Sequence, residues 1–340
     1  MTSALVDAVN HQVRLAARPT GLPGPQTWEH TTEPVHEPAE GRFVVQVSHL
    51  SLDPAMRGWI VDRPSYLPPV EIGAVMRAGG AGKVVASAHP KFAVGDHVTG
   101  LFNVQEYAQS DGRGVQKVDV SVAHLPTYLG ALGMTGMTAY FGLFEVGALQ
   151  EGETVVVSGA AGAVGSVVGQ LAKIKGCRVV GIAGGPQKCA WIVDELGFDA
   201  AIDYKSDDVR KALREKVPDG IDVYFDNVGG EILDAALARL RFKGRVVLCG
   251  GISQYNADRP TGPANYLSLL VNRGRMEGFI VLDYAKRFPE AAPLMAGWVR
   301  EGKIISREDV VRGSIGDFPE TLLKLFRGEN TGKLVLQIAD

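Results

Sequence analysis

A β-branched apolar run passes into a glycine-rich turn at Thr154-Val155-Val156-Val157-Ser158-Gly159-Ala160-Ala161-Gly162-Ala163-Val164-Gly165. The segment Ser166–Lys175 that follows has the composition of a helix. Strand, glycine turn and helix in this order predict the first βαβ unit of a dinucleotide-binding domain, because a pyrophosphate can lie against helix N-terminal N–H groups only where no Cβ intervenes. Ala160 occupies the position of the first glycine in G-x-G-x-x-G, so the turn by itself is a weak indication.

A second apolar run, Arg178–Ile182, arrives one helix later, as a right-handed βαβ crossover requires. NAD sites usually carry a carboxylate after this strand for the ribose 2′-hydroxyl, whereas this chain continues Ala183-Gly184-Gly185-Pro186-Gln187-Lys188 without an acid. Lys188 stands near the start of the next predicted helix, where an ammonium and helix N–H groups suit a 2′-phosphate. The pattern favours NADP(H) over NAD(H); the alternative for Lys188 is a solvated helix lysine.

Length and composition indicate a globular protein of two domains, since the chain has 340 residues, 46% of them hydrophobic and 21% charged. The net charge of −3 and the lack of a long Lys/Arg block give no indication of a nucleic-acid or membrane partner. The three cysteines, Cys177, Cys189 and Cys249, form no C-x-x-C motif. We expect reduced thiols, as in a cytoplasmic protein.

The window Thr154–Ala172 carries no charged residue and has the length of a membrane span. Its glycines disfavour a continuous helix and Val155–Val157 favours a strand, so a buried strand, turn and helix are the better interpretation. The N-terminus carries Asp7 and no long apolar core, so no cleaved signal peptide is expected. These patterns predict a cytoplasmic protein without a membrane segment.

Two kinds of pattern divide the chain. Residues 1–125 contain short apolar runs separated by Gly and Pro, which is typical of a β-rich, barrel-like domain. From Thr154 on, strands and helices alternate, which predicts a parallel sheet. The predicted parallel strands are Val155–Val157, Arg178–Ile182, Ala200–Ile202, Ile221–Phe225, Val246–Cys249 and Met276–Ile280. Helices are predicted at Glu231–Leu240, Asn265–Arg273 and Tyr284–Arg300, and a strand that returns to the first domain at Gly332–Ile338.

Several local strings, together with the order of elements, resemble one family across nearly the whole chain. These strings are Arg18-Pro19-x-Gly21, Leu52-Asp53-Pro54-x-Met56-Arg57-Gly58, Gly73-x-Val75-Met76, Gly133-Met134-Thr135-Gly136-Met137-Thr138-Ala139-Tyr140, Asp226-Asn227-Val228-Gly229-Gly230 and Cys249-Gly250-Gly251-Ile252-Ser253-Gln254-Tyr255-Asn256. The chain resembles the zinc-independent medium-chain dehydrogenases/reductases of the prostaglandin reductase, leukotriene B4 dehydrogenase and curcumin reductase group. In this group Ala-Ala-x-Gly-x-Val-Gly is the usual nucleotide turn, which accounts for Ala160.

The resemblance implies an α/β protein with two domains. A GroES-like β-barrel domain for substrate and catalysis would comprise residues 1–127 and 304–340, and a Rossmann domain with a doubly wound parallel sheet would comprise residues 128–303.

The resemblance also implies the residues that contact NADP(H). Pyrophosphate contacts are implied at Gly162, Ala163, Val164 and Gly165, 2′-phosphate contacts at Lys188 and Tyr204, and a contact with the nicotinamide carboxamide at Asn330. The other implied contacts are Met134, Thr135, Asn227, Cys249, Gly250, Gly251, Ile252, Ser253, Tyr255, Phe279, Ile280 and Val281. Some have simpler alternatives: a tyrosine such as Tyr204 is more often half-buried core, and packing and helix capping would equally explain Met134 and Thr135.

No metal site is expected. A zinc site needs about four Cys, His or carboxylate ligands at suitable spacing, and no cysteine precedes Cys177. The histidines are scattered, and His97 is interpreted as a strand residue. Without a Lewis acid to polarise an alcohol or a simple ketone, the chemistry that suits the chain is reduction of an activated carbon–carbon double bond.

The resemblance agrees with that chemistry and implies an oxidoreductase acting on CH–CH groups, in which NADPH delivers hydride to the β-carbon of an α,β-unsaturated ketone or aldehyde. The resulting enolate needs a hydrogen-bond donor, for which the Tyr255 hydroxyl and the cofactor ribose are candidates. Tyr255 would also help to protonate the α-carbon, directly or through water. Tyr66 is a second candidate, whose loop would border the cleft and which would close over the substrate or orient its carbonyl.

Alternatives remain open at this point. If solvent delivers the proton, the only role of Tyr255 would be to pack over the cofactor. The alternative for Tyr66 is an aromatic side chain that anchors its own loop. There are two alternatives to double-bond reduction. In one the chain would be an NADPH quinone reductase, and in the other it would bind the nucleotide without turnover.

A homodimer is expected as well. Rossmann sheets of this group commonly pair edge to edge through the last strand. Met276–Ile280 is the predicted edge, next to the apolar pair Val281-Leu282.

Overall fold

The computed structural model describes Leu5 and residues 7–339, in which strands and helices alternate from Thr154 to Arg300 much as predicted. The strands are β1 (Val9–Leu15), β2 (Trp28–Pro34), β3 (Phe43–Ser51), β4 (Gly79–Ser87), β5 (His97–Leu101), β6 (Tyr107–Ser110), β7 (Gln116–Lys117), β8 (Thr154–Ser158), β9 (Arg178–Ala183), β10 (Ala200–Asp203), β11 (Ile221–Asp226), β12 (Leu240–Leu248), β13 (Arg275–Gly278), β14 (Glu308–Arg312) and β15 (Lys333–Gln337). The α-helices are α1 (Met56–Trp59), α2 (Met134–Phe141), α3 (Ala163–Ile174), α4 (Pro186–Asp194), α5 (Val209–Lys216), α6 (Gly230–Leu237), α7 (Leu267–Asn272), α8 (Phe288–Arg300) and α9 (Phe318–Arg327). Short 3₁₀ segments lie at Pro25–Thr27, Leu125–Tyr128, Ile252–Gln254, Val281–Arg287 and Ile315–Asp317, and a π-helical turn at Gly142–Val146.

Two compact units share these elements. One contains the described residues up to Leu129 together with those from Glu308 on, and the other is Gly130–Arg307.

The second unit is built on a six-stranded sheet in the order β10-β9-β8-β11-β12-β13, and all neighbouring strands are parallel. Numbered within the unit, this is the order 3-2-1-4-5-6 of a Rossmann fold. The six predicted parallel strands are therefore confirmed. The uncharged window Thr154–Ala172 is β8, a turn and most of α3, as interpreted from its composition.

Helices cover both faces of this sheet, which explains why its strands are apolar without alternation. Val155 and Val157 of β8 pack in a cluster with Phe141, Leu171 and other residues of one helical layer. Val156 points to the opposite face and packs in a separate cluster with residues of α5 and α6.

Some predicted element boundaries were wrong. The helix predicted to reach Leu240 ends at Leu237, because Leu240 already pairs with Ile221 in the sheet. The helix predicted from Tyr284 begins as a 3₁₀ segment, and its α-helical part starts only at Phe288.

The first unit contains a seven-stranded sheet with the path β14-β15-β3-β4-β5-β7, in which β6 also pairs with β3. The C-terminal strand β15 runs antiparallel to β3, so the end of the chain belongs to this N-terminal sheet. Phe43, Leu50, Phe102 and Phe318 lie in its buried core. The presence of a β-rich unit and of a unit with a parallel Rossmann sheet confirms the predicted fold class. Among the described residues, no helix combines the length and the apolar character needed to cross a membrane.

Candidate active site

The glycine-rich turn lies at the carboxyl end of β8 and opens α3. Gly159 has a φ of 58°, in the left-handed region that a residue without a Cβ adopts at little cost. Gly162 is the N-cap of α3, so the first N–H groups of the helix, beginning at Ala163, have no acceptor within the helix. These N–H groups and the helix dipole suit an anion such as a pyrophosphate.

Close approach between backbone segments explains the residues at positions 165 and 160. A Cβ on Gly165 would lie 2.3 Å from the Gly159 carbonyl oxygen, so only glycine fits there. Ala160 is fully buried and faces the sheet, where a Cβ on Gly181 would lie 2.8 Å from the Ala160 Cβ. The departure from G-x-G-x-x-G therefore leaves the cradle of Gly162 and Gly165 intact.

The segment predicted to hold a 2′-phosphate lies at the neighbouring ends of β9 and β10. Tyr204 packs closely against the turn between β9 and α4. A Cβ on Gly184 in that turn would lie only 2.8 Å from the Tyr204 hydroxyl oxygen. Lys188 is half-buried in the first turn of α4, so both predicted residues flank one turn. The nearby Asp203 carboxylate accepts the Gly185 N–H at 2.7 Å and is thereby occupied by that turn.

A buried polar network joins the carboxyl ends of β8 and β11. Ser158 Oγ donates to Asp226 Oδ1 at 2.8 Å and accepts the Asn227 N–H at 2.9 Å. Asn227 Nδ2 donates to the Ser158 carbonyl oxygen at 2.7 Å. These strands are the first and fourth of the Rossmann order, and ligands bind where the order reverses. Asn227 thus lies at the switch point of the sheet.

The loop Cys249–Tyr255 follows β12 and is bonded to the turn after β11. The Cys249 N–H donates to the Asp226 carbonyl oxygen at 2.9 Å, and the Ile252 N–H donates to the Asn227 carbonyl oxygen at 3.2 Å. The loop predicted to contact the cofactor is thereby attached to the junction of Ser158, Asp226 and Asn227.

Tyr255 lies over the backbone of its own loop. Its hydroxyl oxygen accepts the Gly251 N–H at 3.1 Å, and a Cβ on Gly250 would lie 3.1 Å from that oxygen. The glycine pair therefore makes room for the phenol.

An open cavity of about 540 Å³ lies beside this loop, within the second unit. It is lined by five predicted residues, Cys249, Gly250, Gly251, Phe279 and Ile280. Sequence reasoning had assigned no role to its other lining residues, which are Asp226, Gly229, Gly230, Leu233, Leu248, Gln254, Thr261, Gly278 and Asp283. Asp226 carried a usable signal, since an acid at the end of an apolar strand requires partners when it is buried.

The remaining predicted residues of this unit lie at element starts. Met134 opens α2 and is 48% exposed, whereas Thr135 is buried and donates its hydroxyl to the Gly130 carbonyl oxygen at 2.8 Å. Val281 begins a 3₁₀ segment directly after Ile280.

Tyr66 and Asn330 lie in the first unit. Tyr66 is 47% exposed, and its hydroxyl oxygen accepts the Trp59 indole N–H at 3.1 Å. Asn330 Nδ2 donates to the Gly332 carbonyl oxygen at 2.9 Å, in the turn that precedes β15.

Burial sets the protonation of two groups at the cavity. Burial, with the Asp226 charge as a smaller cause, raises the pKa of the Cys249 thiol to about 12, so the thiol is neutral near pH 7. Burial also raises the pKa of Asp226, against the lowering effect of the hydrogen bonds from Gly229, Val228 and Ser158. In the part of the chain that the structure describes, no three His, Cys, Asp or Glu side chains lie together as a metal-ligand set.

Comparison with known proteins assigns both units. The chain matches a family model described as the N-terminal domain of oxidoreductase over residues 11–118, and one described as zinc-binding dehydrogenase over residues 163–297. It is 43% identical to the NADPH-dependent curcumin reductase of Escherichia coli strain K12, with 97% of each chain covered. It is 40% identical to the NADP(+)-dependent 2-alkenal reductase of Nicotiana tabacum, covering 97% of this chain and 98% of the relative.

Solved structures agree. The crystal structure of CurA from Vibrio vulnificus in complex with NADPH is 43% identical, with a TM-score of 0.92 and coverage of 97% of this chain and 99% of that one. The Escherichia coli quinone oxidoreductase in complex with NADPH is 19% identical with a TM-score of 0.77, a likeness that shows the fold alone.

Proposed function

Because the chain belongs to the zinc-independent medium-chain dehydrogenases/reductases of the curcumin reductase, alkenal reductase and prostaglandin reductase group, we propose that it uses NADPH to reduce the carbon–carbon double bond of α,β-unsaturated ketones and aldehydes. The observation that carries this proposal is the junction at the carboxyl ends of β8, β11 and β12, where Asn227 is hydrogen-bonded both to Ser158, the residue before the glycine turn, and to the Tyr255 loop.

The residues at this edge fit NADP(H). The cradle that a Cβ on Gly165 would fill, with the N–H groups at the start of α3, suits the pyrophosphate. Lys188 and Tyr204 supply a cation and a phenol at one turn for the 2′-phosphate, and the Asp203 carboxylate is bonded to the Gly185 N–H. The other implied contacts in this unit, with Asn330 from the first unit, complete the proposed cofactor set.

Bound NADPH supplies the hydride that passes to the substrate β-carbon and leaves negative charge on the carbonyl oxygen. Tyr255 is the proposed donor to that oxygen, since a phenol that accepts the Gly251 N–H is polarised toward donating its own proton. Tyr66 is proposed to contact the substrate. Its hydroxyl oxygen accepts the Trp59 indole N–H, which likewise polarises this phenol toward donating its proton.

We assign the two units different roles. The β-rich first unit is proposed to supply substrate contacts and the second to hold the cofactor. We also propose a homodimer formed through the edge strand β13 and the exposed side chains of α7, and a cytoplasmic location consistent with three unpaired cysteines.

The test is NADPH oxidation with a medium-chain 2-alkenal, a conjugated enone, a quinone and a saturated ketone, each repeated with NADH. Turnover of the alkenal or enone with preference for NADPH supports the proposal. Turnover of the quinone alone would assign the chain to the quinone reductases. Tight binding of NADPH without any oxidation would leave a nucleotide-binding protein.

Tyr255→Phe and Tyr66→Phe test whether the proposed donor, Tyr255, and the proposed substrate contact, Tyr66, take part in the chemistry. Loss of a donor to the developing enolate lowers kcat by about 100-fold, at an unchanged Kd for NADPH. An unchanged kcat in either variant, with NADPH binding intact, removes that tyrosine from the chemistry and leaves proton delivery to solvent.

A further inference from the structure

Asp226 occupies the centre of the junction described above. It is the last residue of β11 and is fully buried. Its Oδ1 accepts four hydrogen bonds, from Ser158 Oγ at 2.8 Å, Tyr224 Oη at 3.0 Å, the Val228 N–H at 3.1 Å and the Gly229 N–H at 3.0 Å. Its Oδ2 is buried and has no hydrogen-bond partner among the residues that the structure describes. All the bonding of this carboxyl group therefore passes through one oxygen.

The turn that Oδ1 holds is flexible by composition. Gly229 and Gly230 have φ values of 73° and 58°, in the left-handed region. Glycine adopts this region at little cost because it has no side chain, so its backbone is also less restricted. The two N–H bonds to Asp226 Oδ1 hold this turn at the start of α6.

The same turn carries the loop of Tyr255. The Val228 carbonyl oxygen accepts both the Ser253 N–H at 3.2 Å and the Ser253 hydroxyl at 2.7 Å. The Asp226 carbonyl oxygen accepts the Cys249 N–H. On the opposite side Ser158, bonded to Oδ1, directly precedes Gly159 and the glycine turn.

We propose that Asp226 is a positioning residue that holds the pyrophosphate turn and the Tyr255 loop in fixed relation to one another through its Oδ1. The proposal rests on the proposed NADPH-dependent function and adds a residue to it. The junction therefore requires only a hydrogen-bond acceptor at the position of Oδ1, because Oδ2 has no hydrogen-bond partner among the described residues.

Three variants test this. Asp226→Leu removes the acceptor at similar volume, and Asp226→Asn keeps a carbonyl oxygen for Oδ1 while removing the charge. Glu153→Gln is the matched control, because it removes the charge and one of the two oxygens that accept from Arg245 at the amino end of β8, in the same sheet but away from the junction. The readouts are the Kd for NADPH and the hydrogen-exchange rates of the Ile252 and Ser253 amides without cofactor.

In Asp226→Leu we expect about tenfold weaker NADPH binding and about tenfold faster exchange at both amides, since two turn N–H groups lose their acceptor. In Asp226→Asn, which keeps the acceptor oxygen, we expect the Kd for NADPH and the two exchange rates to stay within about threefold of the wild-type values. Glu153→Gln lowers the unfolding midpoint but moves neither readout. If Asp226→Leu does not fold, Ser158→Ala replaces it, with weaker binding and faster exchange again expected.

Unchanged exchange and binding in Asp226→Leu or Ser158→Ala would overturn the proposal. So would an Asp226→Asn variant as impaired as Asp226→Leu, because charge rather than the acceptor would then matter. A wild-type protein that does not bind NADPH contradicts the proposed function instead, and the exchange comparison still decides the role of Asp226.

Discussion

Lys333 Nζ lies 2.7 Å from Asp53 Oδ1, although 280 positions separate the two residues in the chain. The lysine side chain is only 2% exposed, and its ammonium also donates to the Leu52 carbonyl oxygen at 2.7 Å. Ser51 Oγ donates to the other Asp53 oxygen at 2.5 Å. This cluster fastens β15 and the turn that carries Asn330 to the loop after β3.

Lys333→Met is expected to destabilise the protein by about 2–4 kcal/mol, because it leaves the Asp53 carboxylate without its cation in a largely buried setting. Urea denaturation followed by fluorescence measures the loss. The double variant Lys333→Met with Asp53→Leu is expected to recover much of it, since no charge is then left unpaired. A single variant as stable as the wild type would show that the pair contributes little.

Gly184→Ala is expected to weaken NADPH binding by about tenfold and leave NADH binding nearly unchanged. The new Cβ would lie 2.8 Å from the Tyr204 hydroxyl oxygen and displaces the phenol proposed for the 2′-phosphate. Titration of protein fluorescence with each nucleotide measures the two constants. Gly297→Ala on α8 is the control, because its Cβ meets no atom within 4 Å. Equal weakening for both nucleotides would contradict a 2′-phosphate role.

The partly buried pair of Glu153 and Arg245 predicts a pH-dependent stability. Burial alone raises the pKa of Glu153, but the hydrogen bonds from Arg245 and the Gln150 N–H outweigh it, and the folded-state pKa lies below the ordinary value of 4.5. The folded carboxylate thus binds protons less readily than the unfolded one. The stability that the ionised Glu153 contributes is complete above pH 4.5 and is lost as the pH falls through the lowered folded-state pKa.

Glu153→Gln is therefore expected to cost about 1–3 kcal/mol at pH 7, and progressively less as the pH falls below the ordinary value of 4.5. Denaturant unfolding of both proteins between pH 3 and about pH 8 measures the difference. Glu151→Gln, at an exposed neighbouring position, serves as the control. A loss that is the same at both ends of this range would contradict the assignment.

Cys249 is expected to resist alkylation although it lines the cavity. With the pKa of its thiol near 12, iodoacetamide at about pH 8.5 should modify it about 1000-fold more slowly than an ordinary thiol. Mass spectrometry of the modified peptide over time gives the rate, with urea-unfolded protein as the reference. Labelling of the folded protein at the unfolded rate would show a reactive thiolate.

Leu270→Asp is expected to produce monomers. Leu270 is 74% exposed on α7, and α7 packs beside β12, the neighbour of the edge strand β13. Sedimentation velocity compares its mass with that of the wild type. Leu101→Asp places the same charge at a residue that is 61% exposed in the first unit and should leave the mass unchanged. A monomeric wild type would refute the dimer outright.

Much of the local fold around the proposed site was predictable because its sequence signals are local. The glycine pattern of residues 159–165 specified a strand, a turn and a helix, and the structure builds them there. The missing acid after β9 and the presence of Lys188 pointed to NADP(H). Boundaries were less predictable: Leu240 fits a helix by composition, and its pairing with Ile221 assigns it to β12.

The sequence by itself determined the alternation of strands and helices after Thr154 and the strand, glycine turn and helix of residues 154–174, because apolar periodicity and glycine positions act over a few residues and one crossover. Tertiary structure decided the rest. That a buried Asp226 receives four donors from two strands and a glycine turn, and that Lys333 finds Asp53 across 280 positions, depends on pairings between distant segments. Such bonds form only after the sheets have brought those strand ends together, so no local pattern records them.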